Sequence, residues 1–256
     1  MYASKNMEII PPKYDKLYLT ITYLLFTVIT LATVPFAMLA LDPILFLSYG
    51  VAVLVGTLGT NIGYHRLFTH KAFKTSTFWY NFLAFFGVYG TVAGPIGWVA
   101  THLHHHRHLG TDMDPHTPWT TDHWFKAWLR TFLPYWMNIP EPDVKLLVGV
   151  RHLLANKFIM FLHKWAPIQV YGTWLGVWWL LGWQWSLILV VWPITYSLFS
   201  QFIVNWFHYD LEFVHRNRRW LNIFIGGEGN HKMHHDRPRD YSQDYPIKYF
   251  IDWIKI

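Results

Sequence analysis

Three short windows of the sequence are rich in histidine, a residue type that commonly binds transition metals. They contain nine of the chain's sixteen histidines, although only 14% of all residues are charged. The windows read His65-Arg-Leu-Phe-Thr-His70, His102-Leu-His-His-His106 and His231-Lys-Met-His-His235. Imidazole ligands suit iron, zinc, copper or nickel. The pattern therefore predicts a metal site, and the residue types alone do not choose the metal.

Helical spacing separates the histidines that can share a face from those that cannot, because residues three and four apart lie together on an α-helix. The second and third windows each contain a triplet with this spacing: His102, His105 and His106, and His231, His234 and His235. His104 lies about 200° around the helix from His102, and His108 is also off this face. We expect neither of them to bind metal.

The first window is spaced differently. His65 and His70 are five residues apart, about 140° on a continuous α-helix, so we expect the helix to end between them and let both reach one metal region. Together the windows supply eight imidazoles, more than the three or four ligands of one zinc ion. Two metal ions are the economical interpretation. Four isolated histidines are interpreted as structural: His123, His152, His163 and His215.

Composition places this chemistry in a membrane. The chain is 53% hydrophobic and 20% aromatic, and its charged fraction is far below the roughly 25% of globular proteins. It has no cysteine, which excludes disulfides, thiolate zinc sites and cysteine-ligated iron–sulfur clusters. The net charge is +6, and the basic residues are scattered between apolar runs. This pattern favours anionic lipid headgroups or an acidic protein as the binding partner over nucleic acid. No polar linker divides the chain, which predicts a single domain, 1–256.

Four apolar stretches are predicted to span the membrane: 17–41, 44–63, 168–182 and 185–207. The first is interpreted as a retained helix and not a signal peptide. They form two hairpins, joined near Asp42-Pro43 and near Trp183-Gln184. None of the 21 lysines and arginines lies in these spans or turns, so both termini and all histidine windows are assigned to the cytoplasmic side. The predicted fold class is an all-α integral membrane protein with a cytoplasmic helical cap that carries the histidines.

A fifth apolar run, 78–98, lies between the first two windows. Crossing the membrane out and back would need about 40 residues, whereas 31 residues, 71–101, separate the windows. This run is therefore expected to dip into the membrane or lie along it. Between 117 and 167 the pattern is amphipathic and predicts interfacial helices, with Trp124, Trp128 and Phe132 at helical spacing.

The contexts of the three windows are as specific as the windows themselves. They are Gly63-Tyr64, Gly94-Pro-Ile, Trp98, Thr111-Asp-Met-Asp-Pro-His116, Gly227-Glu-Gly-Asn230 and Pro238-Arg-Asp-Tyr-Ser242. With these contexts the chain resembles the membrane fatty acyl desaturase family, most of all its short bacterial and cyanobacterial carbon-nine members. The resemblance implies two iron ions held by eight window histidines: His65, His70, His102, His105, His106, His231, His234 and His235.

The family pattern also includes a ninth histidine at the end of the last membrane helix, and His208 occupies that place. The asparagine that the family carries four residues earlier is Val204 here. Asn205, three residues before His208, shares its helical face and is expected to hold an iron-bound water instead.

The resemblance implies a reaction in which dioxygen is consumed and a cis double bond, at carbon nine, is introduced into a saturated acyl chain on a lipid or on coenzyme A. Ala100-Thr101 stand where acyl-CoA-using relatives carry Arg-Asp, which favours a lipid-linked substrate. A narrow apolar tunnel would set the position of the bond, with candidate linings in 79–89 and 196–207. Because the sequence lacks flavin, nicotinamide and iron–sulfur fingerprints, an external ferredoxin or b-type cytochrome is the expected electron donor.

Two other functions stay open on the sequence alone. A membrane di-iron hydroxylase of an alkane, sterol or carotenoid uses similar histidine windows to insert oxygen. A non-catalytic metal transporter or storage protein would need polar residues along several spans, and the predicted spans are nearly free of them.

Overall fold

The computed structural model describes residues 15–40, 42–111, 113–116, 144–208 and 216–256, and these form helices joined by turns and short irregular segments. The helices are α1 (Asp15–Leu39), α2 (Ile44–Thr69), α3 (Thr77–Thr91), α4 (Pro95–His108), α5 (Val144–Leu154), α6 (Lys157–Leu181), α7 (Trp183–His208), α8 (Asn222–Ile225), α9 (His231–Asp236) and α10 (Ile247–Ile254). Short 3-10 turns lie at Arg219–Leu221 and Glu228–Asn230. The protein is all-helical over these ranges, as the sequence predicts.

Three helices are long and apolar enough to cross a membrane, namely α1 from Leu17, α2 and α7. They contain the predicted spans 44–63 and 185–207 and all but the last two residues of 17–41. The fourth, 168–182, forms part of α6, which is not among the helices that meet this criterion. Its first half carries Lys157 and Lys164 and has a non-helical residue at Trp165, two positions before Pro167, where a proline removes a backbone donor and bends the helix.

The turns at one end of these helices lie beside each other. Asp42, Trp183 and Gln184 line one cavity of about 320 Å³, and nearby the indole Nε1 of Trp192 donates to Thr33 Oγ1 at 2.8 Å. The histidine-bearing ends of α2 and α7 lie at the other ends of their helices. The two predicted turns therefore share one end of the helical bundle.

Helices α3 and α4 form a pair bent by 75°, together apolar enough to be a broken span or a re-entrant loop. The bend contains Val92, whose φ of 48° is unusual for a β-branched residue. His70 precedes α3 and His106 lies near the end of α4, yet their ring centroids are 4.5 Å apart. The chain between His70 and His106 therefore begins and ends at the same group of histidines, and the dip of this segment into a membrane stays a prediction.

The second half of α2, from Val53 to Thr69, is a π-helix with hydrogen bonds between residues five apart. At its end the amide of His70 donates to His65 O at 3.2 Å, and Thr69 Oγ1 donates to Tyr64 O at 2.8 Å. The helix ends at Thr69 with His70 as its C-cap, so the expected end between His65 and His70 is confirmed. Each π-turn holds one residue more than an α-turn, so residues five apart come onto one face, and the two imidazole centroids are 4.9 Å apart.

Several sequence predictions concern residues outside the described ranges. These are residues 117–143 of the amphipathic stretch, with Trp124, Trp128 and Phe132, and the isolated histidines His123 and His215. The described part of that stretch is helical and forms α5 and the start of α6. Of the other isolated histidines, His152 Nε2 donates to Phe68 O at 3.0 Å, and His163 is buried in α6. Both positions agree with a structural role.

Candidate metal centre

Five imidazoles converge in a group that we call cluster A. Its members are His65 of α2, His70 directly after α2, His102 and His106 of α4, and His234 of α9. One nitrogen from each lies within 4.8 Å of the others. The shortest contacts are 2.8 Å between Nε2 of His65 and His234, and 3.1 Å between Nε2 of His106 and His234.

A second group, cluster B, adjoins the first and consists of His105, His106 and His235, also within 4.8 Å. Nε2 of His235 lies 3.2 Å from His105 Nε2 and 3.0 Å from His231 Nε2, so His231 extends this group. His106 belongs to both. The structure therefore brings all eight window histidines into two neighbouring groups, an arrangement suited to two metal ions.

The third window is held against α2 by a glycine turn. Gly226 and Gly227 have φ of 58° and 92°, conformations that glycine adopts without strain. A Cβ on Gly226 would lie 2.5 Å from Thr57 Oγ1. Asn61 Nδ2 donates to Ile225 O at 2.9 Å. These contacts require a residue without a side chain and fix where α9 begins.

Two buried carboxylates orient the histidines, one in each cluster. Glu228 Oε1 lies 2.8 Å from His65 Nδ1, and Asp114 Oδ1 lies 2.6 Å from His105 Nδ1. A carboxylate that accepts the Nδ1 proton leaves Nε2 unprotonated and free to bind metal. Burial raises the pKa of Glu228, but the charge and hydrogen bond of His65 outweigh it, so this pKa lies below its ordinary value. Both carboxylates lie in motifs named in the sequence analysis, but their role in orienting histidines was not predicted from the sequence.

A buried ion pair links the first window to the segment after α9. Arg66 is 1% exposed; it lies 2.7 Å from Asp244 Oδ2 and donates to Pro238 O at 2.9 Å. Burial raises the pKa of Asp244 to about 7, against the opposing effect of Arg66. The pair ties α2 to the chain that follows the third window.

His104 lies outside both clusters. Its Nε2 donates to Met113 O at 3.1 Å, and its ring centroid is 4.3 Å from that of His108. His208 is fully buried, donates from Nε2 to Glu228 O at 2.8 Å, and has its ring centroid 5.0 Å from that of His231. His208 thus adjoins cluster B without belonging to it, and its ligand role stays a prediction.

A cavity of about 50 Å³ opens between the clusters and α7. Gln201, Val204 and Asn205 line it, together with His102 and His231. Residues from the candidate tunnel range 196–207 therefore line the cavity at the metal centre. In the part of the chain that the structure describes, 79–89 contributes no lining residue to this cavity.

His116 also lines this cavity and was not singled out as a site residue by sequence reasoning. Its ring centroid is 4.6 Å from that of His105, and burial lowers its pKa to about 4. The available signal was the Asp-Pro-His motif that follows the second window, in which Asp114 Oδ1 accepts the backbone N–H of His116 at 2.8 Å.

The donor set fits a first-row transition metal such as iron. Buried His70 Nε2 has no hydrogen-bond partner among the described residues, and such an atom costs about 1–3 kcal/mol, which a metal would recover. Burial holds the pKa of His70 and of His234 well below the ordinary range, so both imidazoles stay neutral and able to bind metal. Neighbouring Nε2 atoms in the two clusters lie 2.8 to 3.2 Å apart, so one ion placed among them would be within reach of several imidazoles.

Comparison with known proteins gives a consistent result. The family model described as fatty acid desaturase matches residues 44–249. An sn-1 stearoyl-lipid 9-desaturase of Anabaena variabilis is 27% identical over 82% of this chain and 76% of its own. An sn-2 palmitoyl-lipid 9-desaturase of Nostoc sp. (strain 36) is 28% identical over 79% and 72%, respectively. An acyl-CoA 5-desaturase of Anemone leveillei is 24% identical over 82% and 65%.

Proposed function

Because the chain belongs to the fatty acid desaturase family and is an oxidoreductase of fatty acyl chains, we propose that it introduces a cis double bond at carbon nine of a saturated acyl chain carried by a membrane lipid. The observation that supports this most is the pair of adjoining histidine clusters beside a small cavity. Such a constellation suits oxidative chemistry on a substrate that enters along α7.

Two iron ions are proposed at the clusters, one held by cluster A and the other by His105, His231, His235 and His208, with a water on Asn205. When bound, iron supplies the redox chemistry with dioxygen that removal of hydrogen from an unactivated methylene requires. The chain's own contribution is to hold one imidazole of each cluster in the correct tautomer, His65 through Glu228 and His105 through Asp114.

A lipid-linked substrate is supported by two observations. Ala100 and Thr101 are each 1% exposed, so this part of α4 offers no charged group to a coenzyme A headgroup. Two of the relatives named above are called lipid 9-desaturases. The metal-site cavity shares Asn61 with a cavity of about 220 Å³ that Tyr196 and Ser200 also line, which suggests a route for the acyl chain through 196–207.

The test is the fatty acid profile of a desaturase-deficient host that carries this gene. Gas chromatography with mass spectrometry should show chains two hydrogens lighter with a double bond at carbon nine, in the lipid fraction. A His102→Ala variant at equal membrane abundance is the control and should give none. A hydroxylated product in place of an alkene would instead support the hydroxylase alternative.

Metal analysis addresses the iron proposal separately. Purified, iron-replete protein should hold two irons per chain, and His208→Ala should lower the occupancy of one position. One zinc and no iron in the native chain would overturn the di-iron proposal. Full iron content with near-normal turnover in the variant would reject His208 as a ligand.

We also propose that both termini and the clusters face the cytoplasm, where a ferredoxin or b-type cytochrome delivers electrons. Because the chain has no cysteine, a cysteine introduced at Tyr89 is a unique label. It should not react with a membrane-impermeant thiol reagent applied outside intact cells. Labelling from outside would overturn this topology.

A further inference from the structure

The last helix, α10, has three distinct sectors. Its buried face consists of isoleucines at helical spacing: Ile247, Ile251 and Ile254. A polar strip follows at about 100–140° from Ile247, where Lys248 and Asp252 form an ion pair. At about 200–240° lie Tyr249 and Trp253, which are 65% and 70% exposed. An amphipathic helix on a water-soluble surface would place polar residues in this third sector.

The exposed aromatic sector continues onto α3. Trp253 meets Trp79, in the first turn of α3, with ring centroids 5.2 Å apart. Phe78, beside Trp79, is 65% exposed, and Phe85 further along is 38% exposed. We call the surface formed by Phe78, Trp79, Tyr249 and Trp253 the aromatic face. It is continuous with a helix pair that is apolar enough to enter a membrane.

Hydrogen bonds fix α10 to the segment just before α3. Thr75 Oγ1 donates to Ile254 O at 2.7 Å, and the amide of Ile256 donates to Lys74 O at 3.0 Å. Since α3 begins two residues after Thr75, the position of α10 is set relative to the point where the bent pair begins. The aromatic face therefore lies at the level of that point.

The charges around this surface have one dominant sign. Its basic residues are Lys74, Lys248 and Lys255, and the acidic residue among them is Asp252, which pairs with the last two. Three positive charges against one negative leave a net charge of +2 beside an exposed aromatic surface. Tryptophan and tyrosine with flanking lysines are the residues that membrane–water interfaces favour.

We propose that α10 is an interfacial anchor that lies in the headgroup layer of a bilayer containing anionic lipids, with Tyr249 and Trp253 inserted toward the acyl chains. The lysines at its edge contact the phosphates. This inference depends on insertion of the chain in a membrane and not on desaturation. The anchor holds the C-terminal segment, and through the Arg66–Asp244 pair the third window, at a fixed height above the bilayer.

The cysteine-free chain allows the proposal to be tested by site-directed spin labelling. Single cysteines at Tyr249 and Trp253 are compared with Ser242→Cys, an exposed position on the same segment outside the aromatic face. Each full-length variant is labelled and reconstituted in vesicles of equal parts phosphatidylcholine and phosphatidylglycerol. Accessibility to oxygen, which enriches in lipid, and to a water-soluble nickel chelate is then measured.

We expect the ratio of oxygen to nickel accessibility to be several-fold higher at 249 and 253 than at 242. Vesicles of phosphatidylcholine alone should lower that ratio, because the lysines lose their partners. Equal ratios at all three positions would overturn the anchor. Protection from both reagents with dipolar broadening at 253 would also overturn it, by showing a second copy of the chain on this face. These signals are read from purified protein whether or not it turns over substrate.

Discussion

Replacing Glu228 by glutamine tests whether the carboxylates tune the metal clusters. Glu228 Oε1 lies 2.8 Å from His65 Nδ1, and the two side chains are 7% and 5% exposed. Glutamine keeps the size and an oxygen that accepts the same proton, so only the charge is removed. Hydrogen bonds to charged groups contribute about 1.5–3 kcal/mol against about 1 kcal/mol for neutral ones. The expected loss of about 1–2 kcal/mol corresponds to roughly 5- to 30-fold weaker binding at cluster A.

The assay titrates iron-loaded protein with a chelator and measures the iron retained per chain. Asp114→Asn is the matched variant, since Asp114 orients His105 of cluster B. Each single variant should release one iron at a lower chelator concentration than the unmodified chain, and the double variant should release both. If Glu228→Gln retains two irons at the chelator concentration of the unmodified chain, the orienting role assigned to the carboxylate is refuted.

Three further predictions follow from particular contacts. The His104→Ala variant should keep its iron and activity, whereas His105→Ala should lose both. Loss of turnover in His104→Ala with intact iron would contradict the conclusion that His104 lies on a different helical face from the ligands. Gly59→Ala should destabilise the folded protein by about 1–3 kcal/mol or more, because the added Cβ would lie 2.4 Å from the backbone of α3. Its control, Gly50→Ala, adds a Cβ with nothing within 4 Å and should have the thermal midpoint of the unmodified chain or a slightly higher one. Burial lowers the pKa of His116 to about 4 from 6.5, so as the pH falls the unfolded state takes up this proton before the folded state does. The metal-free protein should therefore lose stability between pH 6.5 and about pH 4, by up to about 1.4 kcal/mol per pH unit. A thermal midpoint that does not fall in this range, or the same pH slope in His116→Gln, would contradict that assignment.

The spans that sequence predicted best are those with uninterrupted apolar runs. The predicted ranges 17–41 and 185–207 differ by about two residues at each end from α1 and α7. The predicted end at 63 falls six residues short of the end of α2, because hydropathy registers His65 and Arg66 as polar. Both side chains are at most 4% exposed, so they are covered by protein and not by lipid. Hydropathy read from a single sequence does not distinguish burial in protein from burial in lipid.

The ligand triplets were predictable since they depend on spacing within one helix. The orienting partner of His65 in the first window was not predictable, because Glu228 is 163 residues away and no local pattern links such positions. The first window exposed a different limit. An angle of 100° per residue assumes an α-helix. Under that assumption only the helix end could bring His65 and His70 together, whereas the π-helical winding of this stretch also contributes.

Because part of α2 is π-helical, the direction in which the first-window histidines point depends on the number of residues that precede them in the helix as well as on their identity. In this stretch two imidazoles five positions apart act together only because the chain carries one extra residue per turn. Loss of a single codon between Val53 and His65 would turn the window by about a quarter of a circle relative to the start of the span. Overall hydrophobicity, length and every histidine would survive such a deletion. Among descendants of this chain, a gap in α2 therefore marks loss of the metal site more reliably than a count of its histidines.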